Sequence, residues 1–151
     1  MKSRVALVIG LVVCASVEAR AQDREIIQLP SSSTEGLPFT SAVRVGNMLY
    51  LSGQIGFLPD TRQFAEGGIA GQARQTMENI KAVLEYAGSG MHRVVKCTVF
   101  MRNIEDYAAM NRVYGSYFLE GLPARSTLAA SGLAFGALVE IECMALTGED
   151  R

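Results

Sequence analysis

The chain presents one arginine and one glutamate at a spacing that suggests chemistry. Arg125 sits in Pro123-Ala124-Arg125-Ser126, between a turn-forming proline and a run of small residues, Thr127 to Ala137. Val139-Glu140-Ile141-Glu142, an acidic alternating stretch, begins fourteen residues after the arginine. A guanidinium is a permanent, planar, two-pronged donor whose natural partner is a carboxylate or phosphate. A glutamate close by can neutralise that charge or handle a proton beside a bound anion. The pair suits a small carboxylate-bearing ligand. The competing expectation is that Arg125 is a structural arginine tied to a partner's carboxylate, and that Glu140 and Glu142, the latter above all, are edge or interface charges.

Other chemistries find no support. The only histidine is His92, in an expected loop after Gly90, and no C-x-x-C occurs, so a structural zinc site lacks a ligand set. Ser52 follows an apolar run without the G-x-S-x-G turn of a nucleophile elbow. Tyr107, Tyr114 and Tyr117 fall at helical spacing and read as core and interface rather than as a base-stacking platform.

The 151-residue chain opens like a secretory leader: Lys2 and Arg4, the apolar run Val5 to Ala15, then Ala19-Arg20-Ala21 before Gln22. The run is too short to span a bilayer, which needs about 20 apolar residues. The expectation is a signal peptide over 1–21 cut after Ala21, a periplasmic or secreted location, and no membrane association afterwards. The leader holds three of the 14 basic and one of the 15 acidic residues, leaving a net charge near −3. That is not the basic footprint of a nucleic-acid binder. Of the remaining cysteines, Cys97 and Cys143 each sit in an apolar run. They read as two small buried apolar residues, although an exported location allows a disulfide.

The elements that must position Arg125 and Glu140 follow from periodicity. Residues 22–36 are polar and Ser-rich, an extended lead-in to a single domain over 37–148. Ala42-Val43-Arg44-Val45 and Met48-Leu49-Tyr50-Leu51 flank Gly46-Asn47, a hairpin signal. Ser52-Gly53-Gln54-Ile55-Gly56 follows as a Gly-rich exit. Ala73, Met77, Ile80, Leu84 and Ala87 predict a helix over 69–87, with Gln72, Arg74, Gln75, Glu78 and Lys81 on its other face and Gly88 as its stop. Val94 to Met101 alternates as a strand. Asn103 caps a second helix that carries Tyr107, Met110, Val113, Tyr114, Tyr117 and Phe118 and ends at Gly121. Leu138 to Leu146 is the last strand. Two amphipathic helices among strands predict an α+β chain, a two-layer α/β sandwich with a mixed sheet packed by two helices. Neither face of the last strand looks like a solvent face, which favours a partner subunit on the open side.

Several blocks together resemble one family. Pro123-Ala124-Arg125-Ser126, Leu128, Leu133 and Val139-Glu140-Ile141 are joined by Val45-Gly46-Asn47, Leu51-Ser52-Gly53-Gln54-Ile55, Gln72-Ala73-Arg74-Gln75, Asn79-Ile80 and Lys96-Cys97-Thr98-Val99-Phe100. This pattern is similar to that of the Rid (YjgF) family of enamine/imine deaminases and covers roughly Leu37 to Leu146. The resemblance implies a chorismate-mutase-like fold and a homotrimer with clefts between subunits. It implies hydrolysis of 2-imino or enamine acids such as 2-aminoacrylate to 2-keto acids and ammonia, without metal or organic cofactor. Its arginine and glutamate fall on Arg125 and Glu140 as catalytic residues. Phe39, Ser52, Gly53, Asn111 and Thr127, together with Arg125, fall on substrate-binding positions. Phe39 stands where many members have tyrosine, and Thr127 where many have cysteine, so one hydroxyl and one thiol are absent. Some relatives bear an endoribonuclease or translation-inhibitor label; the acidic charge and the leader argue against that reading here. A non-catalytic protein binding small carboxylates in the same cleft is the alternative to an enzyme.

Overall fold

A computed structural model describes residues 23–30 and 36–148. The expected leader, and Ser31 to Glu35 of the lead-in, lie outside the described residues. The elements in chain order are β1 (Arg24–Ile27), β2 (Ala42–Val45), β3 (Met48–Leu51), β4 (Gln54–Ile55), α1 (Gly68–Tyr86), β5 (Val94–Met101), α2 (Tyr107–Gly115), β6 (Ala124–Ala129) and β7 (Val139–Leu146). They form one mixed sheet in the order β1-β2-β3-β7-β5-β6, with β4 also paired to β7. Among the described strands only β5 and β6 run parallel, and α2 is the crossover between them.

The hairpin forms where the sequence predicts it. Val45 pairs with Met48 across Gly46-Asn47, and Gly46 takes a positive φ of 59°. A positive φ at the first central residue matches the twist of the flanking strands and favours glycine there.

Both helices lie on one side of the sheet and bury one face against it. Ala73, Met77, Ile80 and Leu84 of α1 and Met110 of α2 are fully shielded, against Leu49, Val99, Met101, Val139, Ile141 and Ala145 of the strands. Two-residue alternation in β7 buries Val139, Ile141, Cys143 and Ala145 under the helices and turns Glu140, Glu142, Met144 and Leu146 to the open side.

The structure differs from the sequence reading in four places. The lead-in contributes a strand, β1, paired antiparallel with β2. Ala124–Ala129, which spans the arginine segment and the start of the small-residue run, forms the edge strand β6. Asn103 caps a 3-10 turn, its side chain accepting from Glu105 N at 3.1 Å, and α2 ends at Gly115 rather than at Gly121. Cys97 and Cys143 are not two separate thiols: they face each other across β5 and β7 and form a disulfide. Adjacent antiparallel strands bring facing Cα atoms close enough for a bridge, and this pair lies 4.1 Å apart.

One face assignment also changes. Gln72 is buried, not solvent-facing, and its Oε1 accepts from Leu138 N at 2.9 Å, which ties α1 to the start of β7. Asn79 Nδ2 donates to the carbonyls of Ile55 and Phe57, each at 2.9 Å, and Gln75 Nε2 donates to Asn79 Oδ1 at 2.9 Å. This polar ladder satisfies backbone that leaves the ladder of the sheet at the Gly-rich exit. It fixes the segment that walls the site around Glu140.

Candidate functional site: two half-sites on opposite faces of the sheet

Arg125 and Glu140 do not meet within one chain. Arg125 pairs in register with Cys97 and Glu140 with Phe100, both on β5. Cys97 and Phe100 are three residues apart and so point to opposite faces. Arg125 therefore projects on the helix side and Glu140 on the open side, with β5 between their strands.

The first half-site is built by β6 and α2. Tyr107, Asn111 and Tyr114 stand at i, i+4 and i+7, one face of a helix. Arg125 and Thr127, two apart on β6, share the side that meets them. The Arg125 guanidinium lies 4.7 Å from the Tyr114 ring centre and 5.6 Å from that of Tyr107, within the range where aromatic faces attract cations. Its Nη2 donates to the Tyr107 hydroxyl at 3.1 Å. Among the described residues no carboxylate pairs with Arg125, whereas Arg44 pairs with Glu25 and Lys81 with Glu85. The partners of Arg125 within the chain are the two tyrosines. Three buried polar atoms on this face lack a hydrogen-bond partner: Asn111 Oδ1, Tyr114 Oη and Thr127 Oγ1. Buried polar atoms are ordinarily paired, so such a group around an unpaired guanidinium is a place prepared for a polar ligand.

The two tyrosines titrate in opposite directions. Burial pushes the Tyr114 hydroxyl up to about 12, against the opposing pull of Arg125. The Tyr107 hydroxyl is held below its ordinary value by its hydrogen bond with Asn111 first and by the charge of Arg125 second.

The second half-site is a cavity of about 110 Å³ on the open side, lined by Leu37, Phe39, Gly53, Ile55, Phe57 and Phe135 with Glu140 as its charged group. Gly53 leaves room for the Glu140 carboxylate, because a Cβ there would overlap it and push it aside. Phe135 closes the cavity from a left-handed backbone, φ 56°, with its ring centre 5.4 Å from that of Phe57. A bulky residue in that region is a genuine outlier. Burial raises the Glu140 carboxyl above its ordinary value, and the neighbouring charge of Glu142 adds to the rise.

The residues expected at the site divide accordingly. Arg125, Asn111 and Thr127 come together at the first half-site; Glu140, Gly53 and Phe39 come together at the second, with Phe39 44% exposed at the cavity mouth. Ser52 lies beside the second but its hydroxyl is engaged, donating to Thr40 O at 2.6 Å, while its N–H donates to Ser41 O at 3.1 Å. It secures the strand exit before Gly53. Sequence reasoning missed Tyr107 and Tyr114 as partners of Arg125, having placed them in the core and interface. The i, i+4, i+7 run with Asn111 was the available signal.

The profile of the family described as Endoribonuclease L-PSP matches residues 32–147, and the chain belongs to that family, which is the Rid (YjgF) family. A RutC family protein of Pyrococcus horikoshii is 44% identical over 108 residues, covering 72% of this chain and 86% of the relative. A protein of Dermatophagoides farinae named 2-iminobutanoate/2-iminopropanoate deaminase is 42% identical over 119 residues, covering 79% of this chain and 93% of the relative. The crystal structure of RidA from an Antarctic Psychrobacter superposes with a TM-score of 0.76 at 38% identity, covering 81% of this chain and 98% of that one.

Proposed function

We propose that this protein hydrolyses reactive 2-imino and enamine acids to 2-keto acids and ammonia. The observation that carries the proposal is the arginine half-site: a guanidinium held by two tyrosines, free of any carboxylate among the described residues, with unpartnered buried polar atoms around it. A 2-imino acid bears a carboxylate next to its C=N carbon. Arg125 grips that carboxylate with its planar fork and fixes the electrophilic carbon. Glu140 orients a water for addition to that carbon and takes its proton. Its raised pKa suits a base working nearer neutrality. Water and side chains suffice for this route. The names of relatives such as the mite deaminase support the reading.

The half-sites face opposite ways in one chain, so the reading includes a second copy. One protomer's Arg125 face meets its neighbour's Glu140 face, and repetition of that contact closes a homotrimer with three clefts between subunits. The exposed Tyr50, Met144 and Leu146 on the open side of the sheet support burial against such a neighbour. The reading also places the protein outside the cytosol. The Cys97–Cys143 disulfide supports it, since such bonds persist in oxidising compartments.

The test is ammonia release from imino acids generated in situ from several amino acids by an amino-acid oxidase. Release above the spontaneous rate is expected, and none with any imino acid would remove the enzyme reading. One observation favours the alternative of a binding protein: Phe39 leaves the Glu140 cavity without a hydroxyl at its mouth. On that reading the protein binds 2-keto acids and releases no ammonia.

A further inference from the structure

The proposed hydrolysis has a proton problem that Glu140 alone does not solve. Water must lose protons while the substrate nitrogen gains them, and the two events occur on different sides of the reacting carbon. The arginine half-site holds a hydroxyl suited to the second task. Arg125 Nη2 donates to Tyr107 Oη at 3.1 Å, so the tyrosine oxygen is an acceptor there and its own proton remains to be given away. Tyr107 is 40% exposed, so its hydroxyl is open to an incoming ligand, whereas Tyr114 on the same guanidinium is 3% exposed. In a 2-imino acid the nitrogen is two bonds from the carboxyl carbon. A carboxylate on the free edge of Arg125 thereby brings the nitrogen alongside the group that Arg125 already touches.

We propose that Tyr107 is the proton donor to the substrate nitrogen, an assignment that rests on the deaminase reading above. On addition, the water oxygen bonds to the imine carbon, the C=N pair moves onto nitrogen, nitrogen takes the Tyr107 proton, and Glu140 takes the proton lost by water. Return of that proton from Glu140 through solvent to the Tyr107 phenolate resets both groups. In the second step Tyr107 protonates the nitrogen of the carbinolamine and the C–N bond breaks with its electron pair on nitrogen. Ammonia departs, the hydroxyl proton passes to Glu140, C=O forms, and return of that proton through solvent to the Tyr107 phenolate again resets both groups. Imine and water are consumed, and keto acid and ammonia produced, in equal number.

The charges around Tyr107 support the role. Arg125 on β6 is the charged group that faces its hydroxyl, and Asn111 on its own helix contributes a hydrogen bond; both ease release of the proton. Tyr114, pushed up to about 12, holds its proton far more tightly and is the poorer donor of the two.

The experiment compares the parent trimer with Tyr107→Phe, a nearly isosteric change at an exposed ring, using two readouts. The first is pyruvate binding by calorimetry, in which the keto oxygen stands where the imine nitrogen sits and accepts the same hydrogen bond. Tyr107→Phe is expected to weaken it about threefold to tenfold, the worth of one neutral hydrogen bond. The second is the pH profile of ammonia release. The parent loses activity at alkaline pH as Tyr107 ionises, below the ordinary tyrosine range; Tyr107→Phe is expected to lose about a hundredfold in kcat with that limb abolished. Unchanged pyruvate affinity together with an unchanged profile overturns the assignment, as does a parent that binds no pyruvate. If the parent binds pyruvate but releases no ammonia, the deaminase reading falls and the proton-donor role with it, and the binding arm alone then decides whether Tyr107 touches the ligand.

Discussion

Arg125→Lys keeps the charge of the arginine half-site and destroys its shape. A lysine ammonium offers a point charge without the planar fork, and it stacks less well over Tyr114. A charge-assisted hydrogen bond is worth about 1.5–3 kcal/mol, so kcat/KM for imino acids is expected to fall about tenfold to a hundredfold with the fold intact. Glu140→Gln keeps the side chain's size in the cavity and removes the base, so turnover should drop while keto-acid binding is largely kept. Steady-state kinetics beside calorimetry checks both. Glu142 offers a finer test. Glu140 must be ionised to act, so activity fails as pH falls through its raised pKa, and part of that rise comes from the charge of Glu142. Glu142→Gln removes that part and leaves the larger one, burial. The acidic limb of the pH–rate profile should therefore move to lower pH without vanishing, and an unmoved limb would show that Glu140 is not the group titrating. Arg125 and Glu140 could be singled out in the sequence as candidates because a lone arginine beside a turn-forming proline and an alternating acidic strand are local signals. Tyr107 and Tyr114 were not. A helical stripe of aromatics has the same period whether it packs a core or flanks a cation, and only the register of β6 decides.

At the scale of elements, the hairpin, α1, β5 and β7 were readable because each carries its own period or turn chemistry. Strand β6 was not, because Ala124 to Ala129 has little apolar contrast and is held as a strand by parallel pairing with β5, a contact made across the α2 crossover. Yet β6 is the element that presents Arg125. The disulfide escaped for a related reason. Each cysteine alone satisfies the apolar alternation of its strand, and their pairing depends on register. The bridge joins residues 46 apart in sequence, and cross-linking a loop of that size stabilises the fold by about 4 kcal/mol on a chain-entropy account. The double variant Cys97→Ala/Cys143→Ala should accordingly lose about 2–4 kcal/mol in urea unfolding. The parent should show a comparable loss in reductant. Equal midpoints with and without reductant would mean that the thiols are not joined in solution. Gly71 in α1 carries a second element-level prediction. Glycine-to-alanine changes usually favour a helix by up to about 1 kcal/mol. Here a Cβ would overlap the backbone carbonyl of Glu66, which cannot swing aside as a side chain can. Gly71→Ala should therefore destabilise, by about 1–3 kcal/mol, and a higher melting temperature would contradict this packing.

For the whole molecule, Arg125 and Glu140 lie on opposite faces of one sheet, so on the proposed reading assembly is a condition of activity. Under the proposed arrangement each cleft takes its arginine half-site from one protomer and its glutamate half-site from the next. Light scattering of the mature protein should return about three times the protomer mass, the closed cyclic state. A sharper test uses two inactive proteins. Arg125→Ala retains Glu140, and Glu140→Gln retains Arg125. Each homotrimer lacks one group in every cleft. If the two are unfolded, mixed in equal amounts and refolded, subunits exchange at random and a cleft is intact when its arginine comes from a Glu140→Gln protomer and its glutamate from an Arg125→Ala protomer. Each condition is met half the time, so about a quarter of the clefts, and about a quarter of the activity of refolded parent, should return. A cleft built within one chain could never be restored this way, because no protomer in the mixture carries both groups. Activity that stays at the level of the separate variants would therefore place Arg125 and Glu140 in one subunit's cleft, or in no common cleft at all. It would do so without any assumption about the natural substrate, since any imino acid that the parent hydrolyses serves as the probe.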